Sequence, residues 1–301
     1  MNKINVVISA YNEEKNIKDC LNSVKWADEI ILVDNGSTDK TVKIAKKFTD
    51  KIFTQPNRLM LNINKNYGFS KAKGDWILSL DADERVTEEL KNEIIDATRK
   101  KVTGFWVSRK NIIFGQWIKH SIWWPDYQLR LFRKGKGEFP CQHVHEYLQV
   151  KGETKKLKNP FLHYNYQTIS QYLYKLDKIY TENEAENIIK SGKKLVWQDV
   201  LRMPINDFLK TFFAQKGYKD GLHGLVLSLL QSFYALIIFA KVWEKQGFRE
   251  IEKKHFLTQI TSEFKNLAKE FNYWLTQTKL KEEKNPLKKI LTRLSKVVQT
   301  I

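Results

Sequence analysis

Asp81 and Asp83 stand two residues apart at the end of the apolar run WILSL, residues 76–80. Two carboxylates leaving a strand at that spacing can share a hard divalent cation, with waters and phosphate oxygens in the remaining positions. The same pair also suits a solvated turn, or the cap of the helical stretch at residues 86–95. Asp34 ends a second apolar run, EIILV at residues 29–33, and Asn-Gly-Ser-Thr-Asp follows it. That string is turn chemistry: Asn35-Gly36 permits positive φ, and Ser37 or Thr38 can cap the next helix. Turn chemistry does not explain a carboxylate at the strand end, where it could accept hydrogen bonds from a base N–H or a ribose hydroxyl. A third run, INVVIS at residues 4–9, ends in Ala10-Tyr11-Asn12-Glu13.

These runs belong to an alternating pattern. Helical spacing covers residues 13–26, with Ile17, Leu21 and Val24 on one face, and another helix passes through Ile44 and Phe48. A third short strand falls at residues 51–54 and a helix at residues 63–72. Continuous apolar strands alternating with helices predict an α/β fold with a parallel sheet covered on both faces. In such sheets ligands gather at the carboxyl ends of the strands. All three polar strand ends therefore point to one edge. Beyond Thr103 the pattern is mixed, with strands expected at residues 105–109, 128–132 and 148–150 and aromatic loops between them. From about Ser170 onward the sequence reads as helical.

Composition narrows the class. The 301 residues carry a net charge of +18, with +12 of it in residues 151–301. A hydrophobic content of 42% with only 6 Pro and 13 Gly excludes a disordered or collagen-like chain. Cys20 and Cys141 cannot build a disulfide framework or a multi-cysteine zinc site, so a reducing compartment is expected. Residues 1–10 read as a strand that begins at once, without the apolar run and cleavage site of an export peptide. Strong basicity alone suits nucleic acid, anionic membrane or phosphorylated small molecules.

ISAYNEEKNI, VDNGSTDKT and GDWILSLDADE, in this order and spacing, resemble the family 2 glycosyltransferases with a GT-A, Rossmann-like fold. The resemblance continues through FGQWIKHSIWWPDYQLRLFRKGKGEF, HVHEYL and LHYNYQTISQYLYKLDKIYTENEA, where it is similar to the branch that builds lipopolysaccharide core. It reaches about residue 245. It implies a nucleotide-sugar donor, UDP-linked by preference, a Mg²⁺ or Mn²⁺ ion, and inverting transfer. On the matching positions Ala10, Tyr11 and Glu13 would line the nucleotide pocket. Asp34 would hold the base or ribose, and Asp83 would bind metal beside Asp81.

Such a transfer needs no acid for the leaving group, because diphosphate is already a stable anion, but its growing charge must be neutralised. Arg130 and Arg133 of QLRLFRKG are candidate phosphate clamps, with Gln128 to position them. The acceptor hydroxyl needs a carboxylate base. Glu146 is the first candidate. Asp126 is the second, better suited to orienting the acceptor. His143 and His145 do not complete a zinc site without further ligands, and His145 is expected to hydrogen-bond the base, the diphosphate or the acceptor. Trp117, Trp123 and Trp124 offer aromatic faces for an acceptor sugar, although buried Trp is as often simply core.

The expected organisation is a glycosyltransferase domain over residues 1–205, its donor half at 1–100 and its acceptor half at 101–205. A helical region that associates with membrane or with another copy would occupy residues 206–301. Residues 221–240 contain no Asp, Glu, Lys or Arg, the threshold length for a span. Gly221, Gly224, Ser228, Gln231 and Ser232 form a small polar stripe, which favours a shallow or in-plane helix packed partly on protein. Residues 279–301 carry +5, with Leu287, Ile290, Leu291 and Leu294 on one face, an amphipathic segment suited to anionic lipid. The functional expectation is a hexosyltransferase acting on a lipid-linked or lipopolysaccharide-core saccharide. It would sit at the cytoplasmic face of the inner membrane, peripheral or monotopic. The enzymatic rival loads a polyprenyl phosphate. Rivals from other classes are an inactive membrane scaffold and a nucleic-acid-binding protein, and the latter leaves the acidic strand ends unexplained. No nucleic-acid partner is expected.

Overall fold

The computed structural model describes residues 2–57, 61–141, 146–250, 254–286 and 288. Its chain divides into two compact units, residues 1–119 with 123–169, and residues 120–122 with 170–301. The first unit ends at residue 169, and sequence analysis drew the glycosyltransferase domain over residues 1–205.

The first unit opens with β1 (Ile4–Ala10), α1 (Ile17–Ser23), β2 (Glu29–Asp34), α2 (Thr41–Ala45), β3 (Ile52–Thr54), α3 (Leu61–Lys71) and β4 (Trp76–Asp81). These four strands are parallel, in the order β3-β2-β1-β4. The helix expected over 13–26 is shorter, since residues 11–16 form the turn that leaves the strand. Next come β5 (Glu84–Arg85), α4 (Glu88–Thr98), β6 (Gly104–Ile113), β7 (Gln116–Trp117) and β8 (Asp126–Arg133). Thr87, not an aspartate, caps α4, its side chain accepting from Leu90 N. A ribbon of β9 (Gly137–Glu138) and β10 (Gln149–Val150), then β11 (Thr154–Lys156) and β12 (Phe161–Tyr164), complete the strands. β8 runs antiparallel to both β4 and β6, and β12 enters between β6 and β5.

Each face of the sheet has its own cover. Val6, Ile8, Leu32, Trp76, Leu78 and Phe105 pack with Ile17 and Leu21 of α1 and Leu90 and Ile94 of α4. Val7, Ile31, Ile77 and Phe132 pack with Phe69 and Ala72 of α3 and with Phe139 and Leu148. Burying one such side chain contributes about 1.5–3 kcal/mol. Gly68 lets α3 approach closely, since a Cβ there would lie 2.5 Å from Val7 Cγ1 and 2.8 Å from Val33 Cγ2.

The second unit is helical. Its helices are α5 (Ile169–Lys175), α6 (Thr181–Lys190), α7 (Asp199–Phe208), α8 (Gly221–Lys245) and α9 (Phe256–Glu282). Wider π turns at Leu176–Tyr180 and Leu209–Ala214 extend α5 into α6 and prolong α7. α8 buries Gly224, Leu227, Ser228, Ala235, Ile238 and Val242, and Gln231 Nε2 donates to Asp207 Oδ2 of α7 at 3.2 Å. Gly224 and Ser228 of the polar stripe thus face protein and Gln231 and Ser232 are half-buried, while Gly221 is exposed. The other side leaves Leu222 72%, Leu229 52% and Phe233 43% exposed. Residues Gly217–Lys245 are long and apolar enough to cross a membrane by length and composition. Most of the basic segment at 279–301 lies outside the described residues.

Candidate active site

Sheet register brings the polar strand ends together: Ala10 pairs with Asp34 across β1 and β2, and Ser9 with Asp81 across β1 and β4. The two loops beyond β1 and β2 are laced to each other. Asn12, at φ 54°, accepts from Thr38 N at 2.8 Å, and its own N–H donates to Ser37 Oγ at 3.0 Å. Glu13 N donates to Thr41 Oγ1 at 2.8 Å, and the Glu13 carboxylate accepts from Asn16 Nδ2. Asp34 is buried and accepts from Ser37 N at 3.1 Å. Tyr11 stands 42% exposed on the rim. The four residues expected around a nucleotide therefore share one edge.

Beside them lies an ionic centre. Asp81 receives Arg130 Nη2 at 2.5 Å and Lys65 Nζ of α3 at 2.6 Å. Arg130 also reaches Glu84 Oε1 at 3.2 Å, and Glu84 Oε2 accepts Asp81 N at 2.9 Å. Burial alone would raise the Asp81 carboxyl, but Arg130 and then Lys65 outweigh it and hold it well below the ordinary carboxylate range. Burial pushes Glu84 up, further than Arg130 draws it down, and the Asp81 charge adds to the rise. Arg130 itself is pushed up, because Asp81 and Glu84 outweigh the cost of burying its charge. Only 4% exposed, Arg130 faces the edge but is committed to these two acids.

A second chain of contacts begins at Asp83. His163 Nε2 of β12 lies 3.5 Å from Asp83 Oδ2, and His163 Nδ1 lies 2.6 Å from Asn111 Oδ1 of β6. Asn111 Nδ2 donates to Trp123 O at 2.7 Å and to Asp126 Oδ2 at 3.3 Å. Arg109 grips Asp126 through Nε at 2.7 Å and Nη2 at 2.6 Å, while Gln128 Nε2 donates to Asp126 Oδ1 at 2.8 Å. Asp126 is thereby oriented by a guanidinium and two amides. Gln128 serves this acid, where sequence analysis expected it to position Arg130 and Arg133.

Glu146 occupies a different setting. Its Oε1 accepts Cys141 N at 2.6 Å and Asn62 Nδ2 at 3.1 Å. Asn62 and Lys65 are three apart on α3, so they share a helix face, and that face links Glu146 to the Asp81 centre. Arg133 corrects an expectation. It pairs with Trp76 at the start of β4, lies over that ring at 4.7 Å, and donates to Val102 O and Lys100 O. On a strand antiparallel to β4, three residues from Arg130 to Arg133 span about 10 Å away from Asp81. Trp117 sits under Lys110 and Lys119, at 4.3 and 4.8 Å from its ring, with Trp124 edge-on at 5.5 Å. Lys110 and Trp117 thus take the face of β6 opposite Arg109 and Asn111. Trp123 touches the site through its carbonyl, and its ring is edge-on to Tyr166. His143 and His145 lie outside the described residues.

Lys65, Glu84, Arg109, Asn111 and His163 were not singled out from the sequence. Glu84 and His163 stand inside the motifs DADE and LHYNYQ, so a polar residue at each strand end was the available signal. Among the described residues no group of three or more His, Cys, Asp and Glu side chains could hold a metal. Asp83 and His163 nevertheless suit a cation that completes its shell with water and phosphate oxygens. Nδ1 of His163 faces an amide oxygen, so in the neutral ring Nε2 offers a lone pair toward the Asp83 carboxylate, and a shared cation would reconcile the two. Asp81 is less suited, its two oxygens being engaged by Lys65 and Arg130.

Residues 5–150 match the family model described as glycosyl transferase family 2. Over 258 residues the chain is 30% identical to an uncharacterized glycosyltransferase of Rickettsia typhi, spanning 81% of this chain and 88% of that protein. It is 25% identical over 255 residues to the lipopolysaccharide core biosynthesis glycosyltransferase LpsC of Rhizobium meliloti, spanning 82% and 94%. The crystal structure of S. aureus TarS 1–349 in complex with UDP aligns with 83% of this chain and 94% of that one, at 17% identity and a TM-score of 0.43.

Proposed function

Because this chain belongs to the family 2 glycosyltransferases, we propose that it moves a hexose from a nucleotide sugar to a saccharide carried on lipid, inverting the anomeric carbon. The observation that carries the reading is the register that sets Asp34 and Asp81 along one sheet edge, with Asp83 in the turn just beyond Asp81. Asp34 would accept from the base or ribose, with Tyr11, Ala10 and Glu13 around it. UDP is the favoured nucleotide. Asp83 and His163 would hold Mg²⁺ or Mn²⁺, with Asp81 oriented beside them by Lys65 and Arg130. The cation, when bound, offsets the charge that grows on the departing diphosphate.

Glu146 is the base in this reading. It takes the proton of the acceptor hydroxyl while the oxygen bonds to the anomeric carbon, and the bond to diphosphate breaks with its electron pair leaving on phosphate oxygen. Its contacts to Cys141 N and Asn62 Nδ2 aim it. Asp126, clamped by Arg109, would orient the acceptor, together with Trp123 and Trp124, and His145 keeps its expected acceptor-binding role. The acceptor class draws support from the lipopolysaccharide-core role in the name of LpsC. The exposed apolar side of α8 and the basic second half support work at the cytoplasmic face of the inner membrane. A second copy is the other occupant these helices would suit.

The test is a screen of purified protein for hydrolysis of UDP-, GDP- and ADP-sugars with Mg²⁺ or Mn²⁺. Cation-dependent turnover of a UDP-sugar is expected. Inertness toward every nucleotide sugar, with or without lipid-linked saccharide, would overturn the proposal.

A further inference from the structure

Asn111 is fully buried near the carboxyl end of β6, where an amide is costly unless each of its groups is paired. Its pairing is complete and directional. Nδ2 faces Trp123 O at 2.7 Å, Asp126 Oδ2 at 3.3 Å and Arg109 O at 3.5 Å. Two of these acceptors are backbone carbonyls, and the third is a carboxylate gripped by Arg109. None has a hydrogen to give, so only the NH₂ end of the amide can face them. The Oδ1 end is therefore turned toward His163, whose Nδ1 lies 2.6 Å away. An amide oxygen can only accept, so Nδ1 must carry the hydrogen. In the neutral ring the lone pair is then on Nε2, the atom 3.5 Å from Asp83 Oδ2.

The backbone enforces the same arrangement. His163 and Asn111 are register partners between parallel strands β12 and β6, and His163 is also the register partner of Glu84 in β5. Tyr164 N donates to Asp83 O at 2.9 Å, which ties the end of β12 to the acidic turn. The imidazole is 5% exposed, leaving little room for another orientation.

We propose that Asn111 is a positioning residue: its locked amide holds His163 in the Nδ1–H tautomer and so keeps Nε2, with Asp83, as a two-donor seat for a divalent cation. The tautomer follows from Asn111 alone, while its use rests on the cation reading given above. Asn111 touches neither substrate nor metal. It acts through the ring, as hydrogen-bond partners of metal-bound histidines do, whose loss costs about 10–100-fold in metal affinity.

The experiment uses full-length protein carrying ¹⁵N-labelled histidine, without metal, at alkaline pH where imidazoles are neutral. Long-range ¹H–¹⁵N correlations distinguish the two tautomers, and disappearance of one ring pattern in His163→Gln assigns it among the six histidines. The Nδ1–H pattern is expected for His163, and Nε2–H there overturns the inference whatever the variants do. Mn²⁺ alone is then titrated calorimetrically. Asp83→Ala should abolish binding; unchanged binding would sink the cation reading but leave the tautomer standing. Asn111→Leu should release the ring, raise the Nε2–H share and weaken Mn²⁺ by about 10–100-fold. If Asn111→Leu folds and shows wild-type tautomer and affinity while Asp83→Ala has lost Mn²⁺, Asn111 has no positioning role. If Asn111→Leu does not fold, the wild-type spectrum decides alone.

Discussion

Arg130 faces two carboxylates, Asp81 at 2.5 Å and Glu84 at 3.2 Å, with 4% of its surface exposed. Removing a buried ion's partner leaves charge without solvent or counter-charge, which typically costs 3–5 kcal/mol. Arg130→Met should therefore lose about 3–5 kcal/mol of unfolding free energy at neutral pH. The pH dependence follows from which acid takes a proton first. Glu84 is held above its ordinary 4.5, so as pH falls the folded protein gains a proton there before the unfolded chain does. Without Arg130, which draws Glu84 down, that rise is larger, so proton uptake favours the folded variant more than the wild type and should narrow the deficit of Arg130→Met as pH is lowered toward 4.5. Asp81 works the other way: its contribution is present above 3.8 and is lost as pH falls through its lower folded value. Urea unfolding of both proteins across pH measures the two trends, and a deficit that widens on acidification would contradict them. The two candidate bases separate at the same scale. Glu146→Gln should bind nucleotide sugar normally while turnover drops by about 10²–10⁴. Asp126→Asn should act chiefly on acceptor KM. The reverse pattern would exchange the two roles.

At the scale of elements, α3 delivers Lys65 to Asp81 and Asn62 to Glu146, and it can do so because Gly68 lets it lie against β1 and β2. A methyl group at Gly68 meets Val7 and Val33 inside normal contact distance, and both are core side chains that cannot swing aside. Gly68→Ala should cost about 1–3 kcal/mol through overpacking and lower turnover, since the helix must move outward with Lys65. Unchanged stability and turnover would show that α3 is not held this tightly. The parallel strands were legible because buried strands read as unbroken apolar runs, and their carboxyl ends named Asp34, Asp81 and Asp83. The basic motif was taken whole, whereas β8 runs antiparallel to β4 and carries Arg133 back to Trp76, away from Asp81. Lys65, Asn111 and His163 were not legible for a different reason. Each gains its role from a partner at least sixteen residues away, as His163 does from Asn111 across |i−j| = 52, and no local spacing encodes that pairing. Glu84 was in view, but its burial depends on β12.

For the whole molecule, charge and apolar exposure point to a surface. Residues 151–301 carry +12, and each Lys or Arg near anionic lipid is worth roughly 1 kcal/mol, screened by salt. Apolar insertion by Leu222, Leu229 and Phe233 would supply what salt cannot remove. Full-length protein should float with anionic vesicles, high salt should release it only in part, and replacing those three residues by Glu should make release complete. Protein that stays in solution at low salt would turn α8 into a docking face for another copy. The position of β12 has a consequence for how the enzyme comes into being. The family match ends at residue 150, yet the strand that covers Glu84 spans Phe161–Tyr164 and slots between β6 and β5. A chain made from its amino end must therefore hold the acidic turn open until a late strand arrives, a long-range closure that slows folding. A fragment ending at residue 150 should show rapid amide exchange at Glu84 and Arg85 and a tendency to aggregate through the uncovered strand edge. During ribosomal synthesis His163 can therefore reach Asp83 only once that last strand has closed the sheet.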